Sequence, residues 1–364
     1  MKRKILQICK YNLNAPGGIE IVSKIIHLNF KNNFKITSLS FKKDDKQEIL
    51  SNEVSKKIDF FIMNQPISFR YFIYLIKKAR ELDNVIYHHP NPFALFAILI
   101  FLKSETKLTI FWHSDILKGW LLGKLLKPIE KISVSLAQNI IFTSRSYMNS
   151  SYIKPHLNPD KVKILPLGVA EPTFEIVHCG TIGQPIQLIF IGRLETYKGV
   201  VQMLEELSLA KQEVHLTIVG DGSSYRKVLD KCKIVGDHIK IQMLKNVDEE
   251  EKYRLLSTAD FLILPSRTRA EAYGVVLIEA LSLGTPIIVR KVDGSGMNDI
   301  SDDFDGLKVG FLYEDMSQNT LSIVLKKISN LSDHEYLNMR MAAKEKFERY
   351  YKLETFEEKL RDII

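Results

Sequence analysis

Apolar runs of strand length alternate with stretches of helical periodicity along most of the chain. The runs fall at residues 4–9, 36–41, 57–62, 84–87, 107–112, 139–143, 186–191, 214–219, 239–243, 259–264, 287–289 and 309–312. Strands that alternate with helices build mainly parallel sheets with helices packed on their faces. The pattern therefore predicts an α/β fold.

The alternation occurs twice, on either side of a segment at residues 171–185 that lacks periodicity and contains Pro, Gly and Thr. A chain of 364 residues is also too long for one compact core. We therefore expect two domains, at residues 1–172 and 173–345, followed by a terminal helix at 346–364.

Cysteine usage and hydropathy restrict the class of protein. The three cysteines, Cys9, Cys179 and Cys232, have neither disulfide nor zinc-ligand spacing, which is typical of a reducing compartment. The basic N-terminus lacks the apolar segment of a signal peptide. The most apolar run, Phe93–Leu102, is too short to span a bilayer. We expect a cytoplasmic protein.

Charge is distributed unevenly between the two halves. Residues 1–172 hold 26 Lys and Arg against 13 Asp and Glu, a net charge of +13, whereas residues 173–364 hold 25 against 30, a net charge of −5. A basic half predicts an anionic partner, either a nucleic acid or an anionic membrane surface. A basic surface that is merely solvated remains an alternative.

Two glutamates, Glu271 and Glu279, flank the start of a helix predicted at about Gly274–Leu283. Gly284 and Pro286 follow as stop signals. The unpaired amides at a helix N-terminus bind anions such as a diphosphate, and carboxylates on either side accept hydrogen bonds from hydroxyl groups. A diphosphate flanked by two polyols is a nucleotide sugar. Ordinary surface carboxylates would also fit this spacing.

A second loop carries two cations. The strand predicted at 186–191 runs into G-R-L-E-T-Y-K-G at residues 192–199, which places Arg193 and Lys198 beyond the strand end. Arginine grips phosphate oxygens in a fork, and lysine adds a point charge. The run lacks the Gly-Lys-Ser/Thr of a Walker A loop.

Three features of the first half are candidates for ligand contacts. Gly17 and Gly18 stand between a strand and a helix, where the absence of Cβ atoms lets a phosphate approach the backbone. His113 follows the strand at 107–112, and strand ends are where α/β folds gather ligands; a structural histidine is the alternative. His88 and His89 point to opposite sides of a strand and have no third ligand nearby, which argues against a metal site.

Taken together, these motifs resemble the family 4 retaining glycosyltransferases, whose GT-B architecture has two Rossmann-like domains facing across a cleft. The resemblance implies that the terminal helix at 346–364 crosses back to the first domain. The resemblance covers the whole chain and is strongest from Gly192 to Pro286. It implies that Arg193 and Lys198 neutralise the leaving diphosphate in place of a metal, with help from the amides of Gly274 and Val275.

The resemblance also implies the remaining contacts. Glu271 would bind hydroxyl groups of the donor sugar and Glu279 the ribose, while His113 would line the anomeric side and Gly17 and Gly18 would contact the donor. No cofactor or metal is expected. No covalent nucleophile can be identified from the sequence.

The implied function is hexose transfer, with retention, from a nucleotide sugar to a lipid-linked glycan acceptor in bacterial O-antigen or capsule synthesis. The H-S-D loop at His113 resembles enzymes that use GDP-mannose, and a UDP sugar is the alternative donor. A non-enzymatic sugar-binding protein is a second alternative, which the full set of charged motif residues disfavours. A nucleic-acid-binding protein is a third, but the interleaved Arg and aromatic motifs of known modules are missing.

A predicted helix at Leu117–Ile132 carries lysines among Trp120 and several leucines. It is a candidate contact with an anionic membrane, although an ordinary amphipathic helix has the same composition. Pro128 predicts a kink or break within it. With such a contact the protein would be peripheral on the inner face of the cell membrane.

Overall fold

The computed structural model describes residues 3–15, 17–30, 34–42, 48–62, 65–79, 81–116, 120–173, 181–303, 305–315 and 320–364. Two compact units are present, Met1–Pro166 with Glu357–Ile364, and Leu167–Phe356. The division falls before the expected boundary at 172, because the Val169 amide donates to the Tyr351 carbonyl at 3.0 Å and fixes this segment in the second unit. The segment that returns to the first unit likewise begins at Glu357 and not at 346.

The first unit is built on a parallel sheet. The strands of this sheet are β1 (Lys4–Tyr11), β2 (Lys35–Lys42), β3 (Glu53–Lys57), β6 (Asn84–His89), β7 (Lys107–Trp112), β8 (Asn139–Phe142) and β9 (Val162–Ile164). A separate antiparallel pair consists of β4 (Phe60–Ile62) and β5 (Gln65–Ile67). Its helices are α1 (Gly18–Asn29), α2 (Phe69–Ala79), α3 (Pro92–Phe101), α4 (Trp120–Leu136) and α5 (Arg145–Ser150). The parallel strands follow the order β3-β2-β1-β6-β7-β8-β9.

Two predictions for this unit were wrong in their bounds. The strand expected at 57–62 is divided between β3 and β4, because Phe60–Ile62 leaves the sheet to pair antiparallel with β5. In the described residues, the helix expected at Leu117–Ile132 is α4, which extends beyond Ile132 to Leu136. It continues through Pro128, so the break considered there does not occur. A proline removes one amide donor, which a helix of 17 residues accommodates. Residues 117–119 lie outside the described ranges.

Right-handed crossovers decide which helices share a face of the first sheet. The chain moves one way along the sheet from β1 to β2 and the other way from β6 to β7 and on to β8. Right-handed connections therefore place α1 on one face and α3 and α4 on the other. The helix α2 packs beside α3, and α3 packs beside α4.

The second unit repeats the plan with strands β10 (Ile186–Ile191), β11 (Val214–Val219), β12 (Ile239–Leu244), β13 (Phe261–Leu264), β14 (Ile287–Arg290) and β15 (Gly310–Tyr313). Its helices are α6 (Val200–Ser208), α7 (Tyr225–Cys232), α8 (Glu249–Thr258), α9 (Val275–Ser282), α10 (Gly296–Ser301), α11 (Leu321–Ile328), α12 (Asp333–Tyr350) and the first residues of α13 (Leu353–Ile363). The strands are parallel in the order β12-β11-β10-β13-β14-β15.

This strand order creates a switch point beside β10. The chain leaves β10 outward to β11 and β12, then returns to β13 on the other side of β10 and continues to β15. Ligands of open parallel sheets bind at the carboxyl ends of the strands where the order reverses. The loops that follow β10 and β13 flank that point, and they carry both of the motifs singled out from the sequence.

Candidate active site

The loops after β10 and β13 contact each other directly. The Arg267 amide donates to the Tyr197 carbonyl at 2.8 Å. Gly199 adopts a φ of 70°, and a Cβ atom there would lie 2.3 Å from the Pro265 carbonyl oxygen. Only glycine permits both this left-handed conformation and this approach of the two backbones. The second glycine of G-R-L-E-T-Y-K-G is therefore what brings the two loops together.

Lys198 and Glu271 form an ion pair across these loops. The lysine side chain is 10% exposed and the glutamate side chain 13%. Two sequence motifs more than seventy residues apart are thus joined through their charged members. Because the pair is largely withdrawn from water, loss of either partner would leave a poorly solvated charge behind.

Arg193 lies on the same loop as Lys198 but is exposed. Within the described ranges its guanidinium forms no ion pair with a carboxylate. All five of its N–H donors are therefore available to a ligand. The loop therefore carries Lys198, which has Glu271 as its counter-ion, and Arg193, which has no carboxylate counter-ion among the described residues.

The helix α9 begins at the switch point with its amides open. Gly274 is the N-cap residue with a φ of 83°, and as a glycine it offers the helix amides no side-chain cap. A Cβ at Gly274 would lie 3.0 Å from Leu264 and 3.2 Å from Leu277, so glycine also fits the packing here. Val275 is the first helical residue, and its amide is one of those that lack an intrahelical acceptor. This N-terminus suits an anion.

Glu279 lies inside α9, whereas Glu271 stands in the loop before it, as predicted. Lys252 on α8 donates to the Glu279 carboxylate at 3.0 Å. Sequence reasoning missed Lys252, because a lysine following three glutamates gives no signal of a partner on another helix. Burial raises the pKa of the neighbouring Tyr253, and the charges of Glu279 and Glu249 add to the shift.

A third loop, after β14, supports the position of Glu271. The Ser295 hydroxyl donates to the Glu271 carbonyl at 2.7 Å, and the Gly296 amide donates to the Ala272 carbonyl at 2.9 Å. Ser295 and Gly296 were not predicted from the sequence as parts of the site. Their signal was the D-G-S-G run at 293–296, a turn directly after a buried strand.

His113 stands at the end of β7 in the first unit and is buried. Its Nε2 lies 2.8 Å from the Nδ1 of His88, and one of these two nitrogens donates to the other. Burial lowers the pKa of His88 to about 3. Burial, together with His88 and His89, holds the pKa of His113 well below its usual value. His113 is therefore a neutral hydrogen-bonding group at physiological pH.

Gly17 and Gly18 start α1 in the first unit. Gly17 is the N-cap residue with extended backbone, and a Cβ there would lie 2.2 Å from a carboxylate oxygen of Glu20. Gly18 is exposed and has open space around its Cα. The structure thus places Gly17, Gly18 and His113 in one unit and the other candidate residues in the second.

The side chains of the adjacent residues His88 and His89 have different hydrogen-bond partners. His88 contacts His113, whereas His89 turns to the Ser114 carbonyl and Glu130. Over the described ranges, no group of three or more His, Cys, Asp or Glu side chains is placed to hold a metal ion.

Comparisons with known proteins agree with this architecture. The solved structure of HepE from Anabaena in complex with UDP and glucose is similar, with a TM-score of 0.72 and 16% identity, covering 99% of this chain and 98% of that one. The chain therefore has the GT-B fold of two Rossmann-like units, and the predicted fold class is confirmed.

The family comparison concerns the second unit. Residues 179–346 match the family described as glycosyl transferases group 1. D-rhamnosyltransferase WbpZ of Pseudomonas aeruginosa is 26% identical over 67% of this chain and 64% of its own length. O-antigen chain mannosyltransferase C of Escherichia coli is 25% identical over 67% and 66% respectively. The match thus spans slightly under two thirds of both relatives.

Proposed function

We propose that the protein is a retaining, metal-independent hexosyltransferase of family 4. It moves a sugar from a nucleotide donor to a lipid-linked glycan in bacterial surface polysaccharide synthesis. The observation that carries the proposal is the convergence of Arg193, Lys198 and the open N-terminus of α9 at one switch point. Cations and amides gathered there suit the diphosphate of a nucleotide sugar.

In the proposed reaction, the bond between the anomeric carbon and the leaving phosphate oxygen breaks, and its electron pair goes to the diphosphate. The acceptor oxygen bonds to the same face of the anomeric carbon, and its proton passes to the departing phosphate. Arg193, Lys198 and the first amides of α9 stabilise the negative charge that develops on the diphosphate. This is work that a divalent cation does in other transferases.

Other residues position the donor. Glu271, held by Lys198 and by the loop of Ser295, accepts hydrogen bonds from sugar hydroxyls. Glu279 accepts from the ribose while Lys252 orients its carboxylate. A neutral His113 lines the anomeric side and donates or accepts a hydrogen bond without adding charge.

The proposed donor is GDP-mannose. The relatives named as mannosyl- and rhamnosyltransferases support a hexose of this type. We expect one donor to be strongly preferred, since a buried polar group left unpaired by the wrong sugar costs about 1–3 kcal/mol. The test is nucleoside diphosphate release from GDP-mannose, UDP-glucose, UDP-galactose and UDP-N-acetylglucosamine, each with and without a lipid-linked acceptor.

The outcomes separate the donor from the reaction. Release of GDP from GDP-mannose, without nucleotide release from the three UDP sugars, supports glycosyl transfer with mannose as the donor sugar. Turnover of a UDP sugar in its place contradicts the mannose assignment and leaves glycosyl transfer intact. If no donor releases its nucleotide when suitable acceptors are present, both the mannose assignment and the glycosyltransferase assignment are contradicted.

We also propose that the protein binds an anionic membrane surface through α2, α3 and α4. The ten residues of α3 are all apolar, and a helix that is apolar all round is normally buried. Yet Phe96 and Ile100 on α3 are each more than half exposed. The same spacing of four residues recurs on the two flanking helices, where the exposed pairs are Phe69 with Ile73 on α2 and Ile132 with Leu136 on α4.

Charge on these helices favours an anionic bilayer as the occupant of this face. Arg70, Lys77, Lys127 and Lys131 are exposed on α2 and α4, whereas the one acidic residue in the three helix sequences, Glu130, is buried. Apolar side chains rimmed by cations are typical of interfacial membrane contacts. Among the described residues no helix is long and apolar enough to cross a bilayer.

Sedimentation with vesicles tests this contact. We expect more protein to bind phosphatidylglycerol-containing vesicles than neutral phosphatidylcholine vesicles, and salt to weaken binding because charges are screened over about 8 Å at physiological ionic strength. The double variant Phe96→Ser/Ile100→Ser should lower partitioning about tenfold or more. Leu28→Ser on α1, at the opposite face of the sheet, serves as the control.

Equal sedimentation with both kinds of vesicle would contradict an anionic membrane partner. If the Phe96→Ser/Ile100→Ser variant binds anionic vesicles as well as the wild type does, another surface makes the contact.

A further inference from the structure

A buried hydrogen-bond network lies behind the strand end that carries His113. His89 and Glu130 have side chains only 1% and 2% exposed, and their Nε2 and Oε1 atoms are 2.9 Å apart. The His89 Nδ1 lies 2.9 Å from the Ser114 carbonyl oxygen. The Tyr152 hydroxyl donates to the second Glu130 oxygen at 2.8 Å. Side chains from three separate segments thus form one hydrogen-bonded chain, which runs from Tyr152 through Glu130 to His89 and ends on the Ser114 carbonyl.

The hydrogen-bond partners determine how many protons this network holds. The Ser114 carbonyl can only accept, so the Nδ1 of His89 must carry a proton. An ionised carboxylate also only accepts, so the contact between Nε2 and Glu130 requires one further proton between them. The pair is therefore neutral as a whole, which is the state in which two such groups tolerate complete burial.

The residue before His113, Trp112, is also held in place by its contacts. The indole of Trp112 stacks on the His89 ring with 3.8 Å between centroids, and its Nε1 donates to Asp115 at 2.9 Å. Ser151 also donates to the Asp115 carboxylate, at 2.6 Å. The His113 amide itself donates to the His89 carbonyl at 3.3 Å. His113 is thus held between two anchored neighbours, Trp112 and Ser114.

We propose that His89 and Glu130 are positioning residues that act through the Ser114 carbonyl to fix the orientation of His113. The inference rests on the proposed role of His113 beside the donor sugar. His89 supplies the ring that supports Trp112 and the N–H that holds Ser114, and Glu130 holds His89 in the protonation state that makes this possible.

Substitutions separate this role from simple packing. His89→Phe keeps a ring against Trp112 and removes both ring nitrogens, so kcat should fall about 10- to 100-fold, the range expected when a reacting geometry is lost. Affinity for the nucleoside diphosphate should change little, because Arg193, Lys198 and the N-terminus of α9, the groups proposed to hold its phosphates, lie in the second unit.

Glu130 offers a matched pair of variants. In Glu130→Gln the amide can donate to the neutral His89 ring and its carbonyl can accept from Tyr152, so kcat should stay close to that of the wild type. Glu130→Leu removes both contacts and should lower kcat as far as His89→Phe does.

The deciding measurement is kcat and nucleoside diphosphate affinity for the wild type and these three variants. The proposal is overturned if His89→Phe keeps wild-type kcat, or if Glu130→Gln loses as much activity as Glu130→Leu. It is also overturned if kcat and nucleotide affinity fall together, because that pattern means general unfolding. A wild type that turns over no donor contradicts the proposed function instead, so the two failures are distinguishable.

Discussion

Arg193→Ala and Lys198→Ala are each expected to reduce kcat by about 10²- to 10³-fold. Removing a preorganised charge from a group that becomes more negative in the transition state raises the barrier by about 2–4 kcal/mol. Steady-state nucleotide release with the preferred donor measures the effect. Lys240→Ala is the control, since it removes an exposed cation from the edge strand β12.

The two variants should differ in stability. Arg193 is exposed without a carboxylate partner in the described ranges, so its loss should leave the melting temperature unchanged. Lys198 is the counter-ion of the largely buried Glu271, so Lys198→Ala should also lower the melting temperature. Wild-type turnover in the double alanine variant would contradict the proposed role of this loop.

Gly199→Ala is expected to destabilise the second unit by about 2–4 kcal/mol and to abolish most activity. The alanine Cβ would lie 2.3 Å from the Pro265 carbonyl oxygen, in a backbone conformation with φ of 70°. The cost combines a left-handed non-glycine residue with a steric clash. Because the clash separates the loops of Lys198 and Glu271, activity should fall even well below the melting temperature.

Thermal melting and nucleotide release, measured side by side, test this prediction. A loss of 1 kcal/mol lowers the melting temperature by about 2–4 °C in a unit of this size. Gly183→Ala is the matched control, since a Cβ there meets no atom within 4 Å. A Gly199→Ala protein with the melting temperature of the control would mean that the two loops do not approach each other as the structure has them.

The sequence predicted the elements of the second unit well because their signals are local. The strands at 186–191 and 214–219 have the predicted bounds. The helix expected at Gly274–Leu283 is α9, with Gly274 as its N-cap. Buried parallel strands read as short apolar runs, and glycine and proline mark their limits. These features need no knowledge of the rest of the fold.

Pairings between distant segments could not be predicted in the same way. The ion pair of Lys198 with Glu271 and the contact of Lys252 with Glu279 depend on which strands become neighbours. The sequence identified three of these four residues and none of the contacts. The network of His89 and Glu130 was missed for the same reason, since a helix and a strand end converge only in the folded sheet.

In the first unit, the structure differs most from the prediction where exposed apolar residues have the composition of a buried strand. Phe60–Ile62 has the composition of a core strand but pairs with β5 outside the parallel sheet, and its three side chains are exposed. Periodicity reports the affinity of a segment for an apolar environment and not the identity of that environment. The apolar side chains on α3 are a second case, and there we propose a membrane as the environment.

Calorimetric titration of nucleoside diphosphates, in the presence of a chelator, tests the central claim most directly. The claim is that Arg193, Lys198 and the N-terminus of α9 bind the donor diphosphate without a metal. It predicts that one nucleoside diphosphate binds the wild type with a stoichiometry of one, and that the Arg193→Ala/Lys198→Ala variant loses most of this affinity while Lys240→Ala retains it. Binding that needs a divalent cation, or that the double variant retains in full, would contradict the claim.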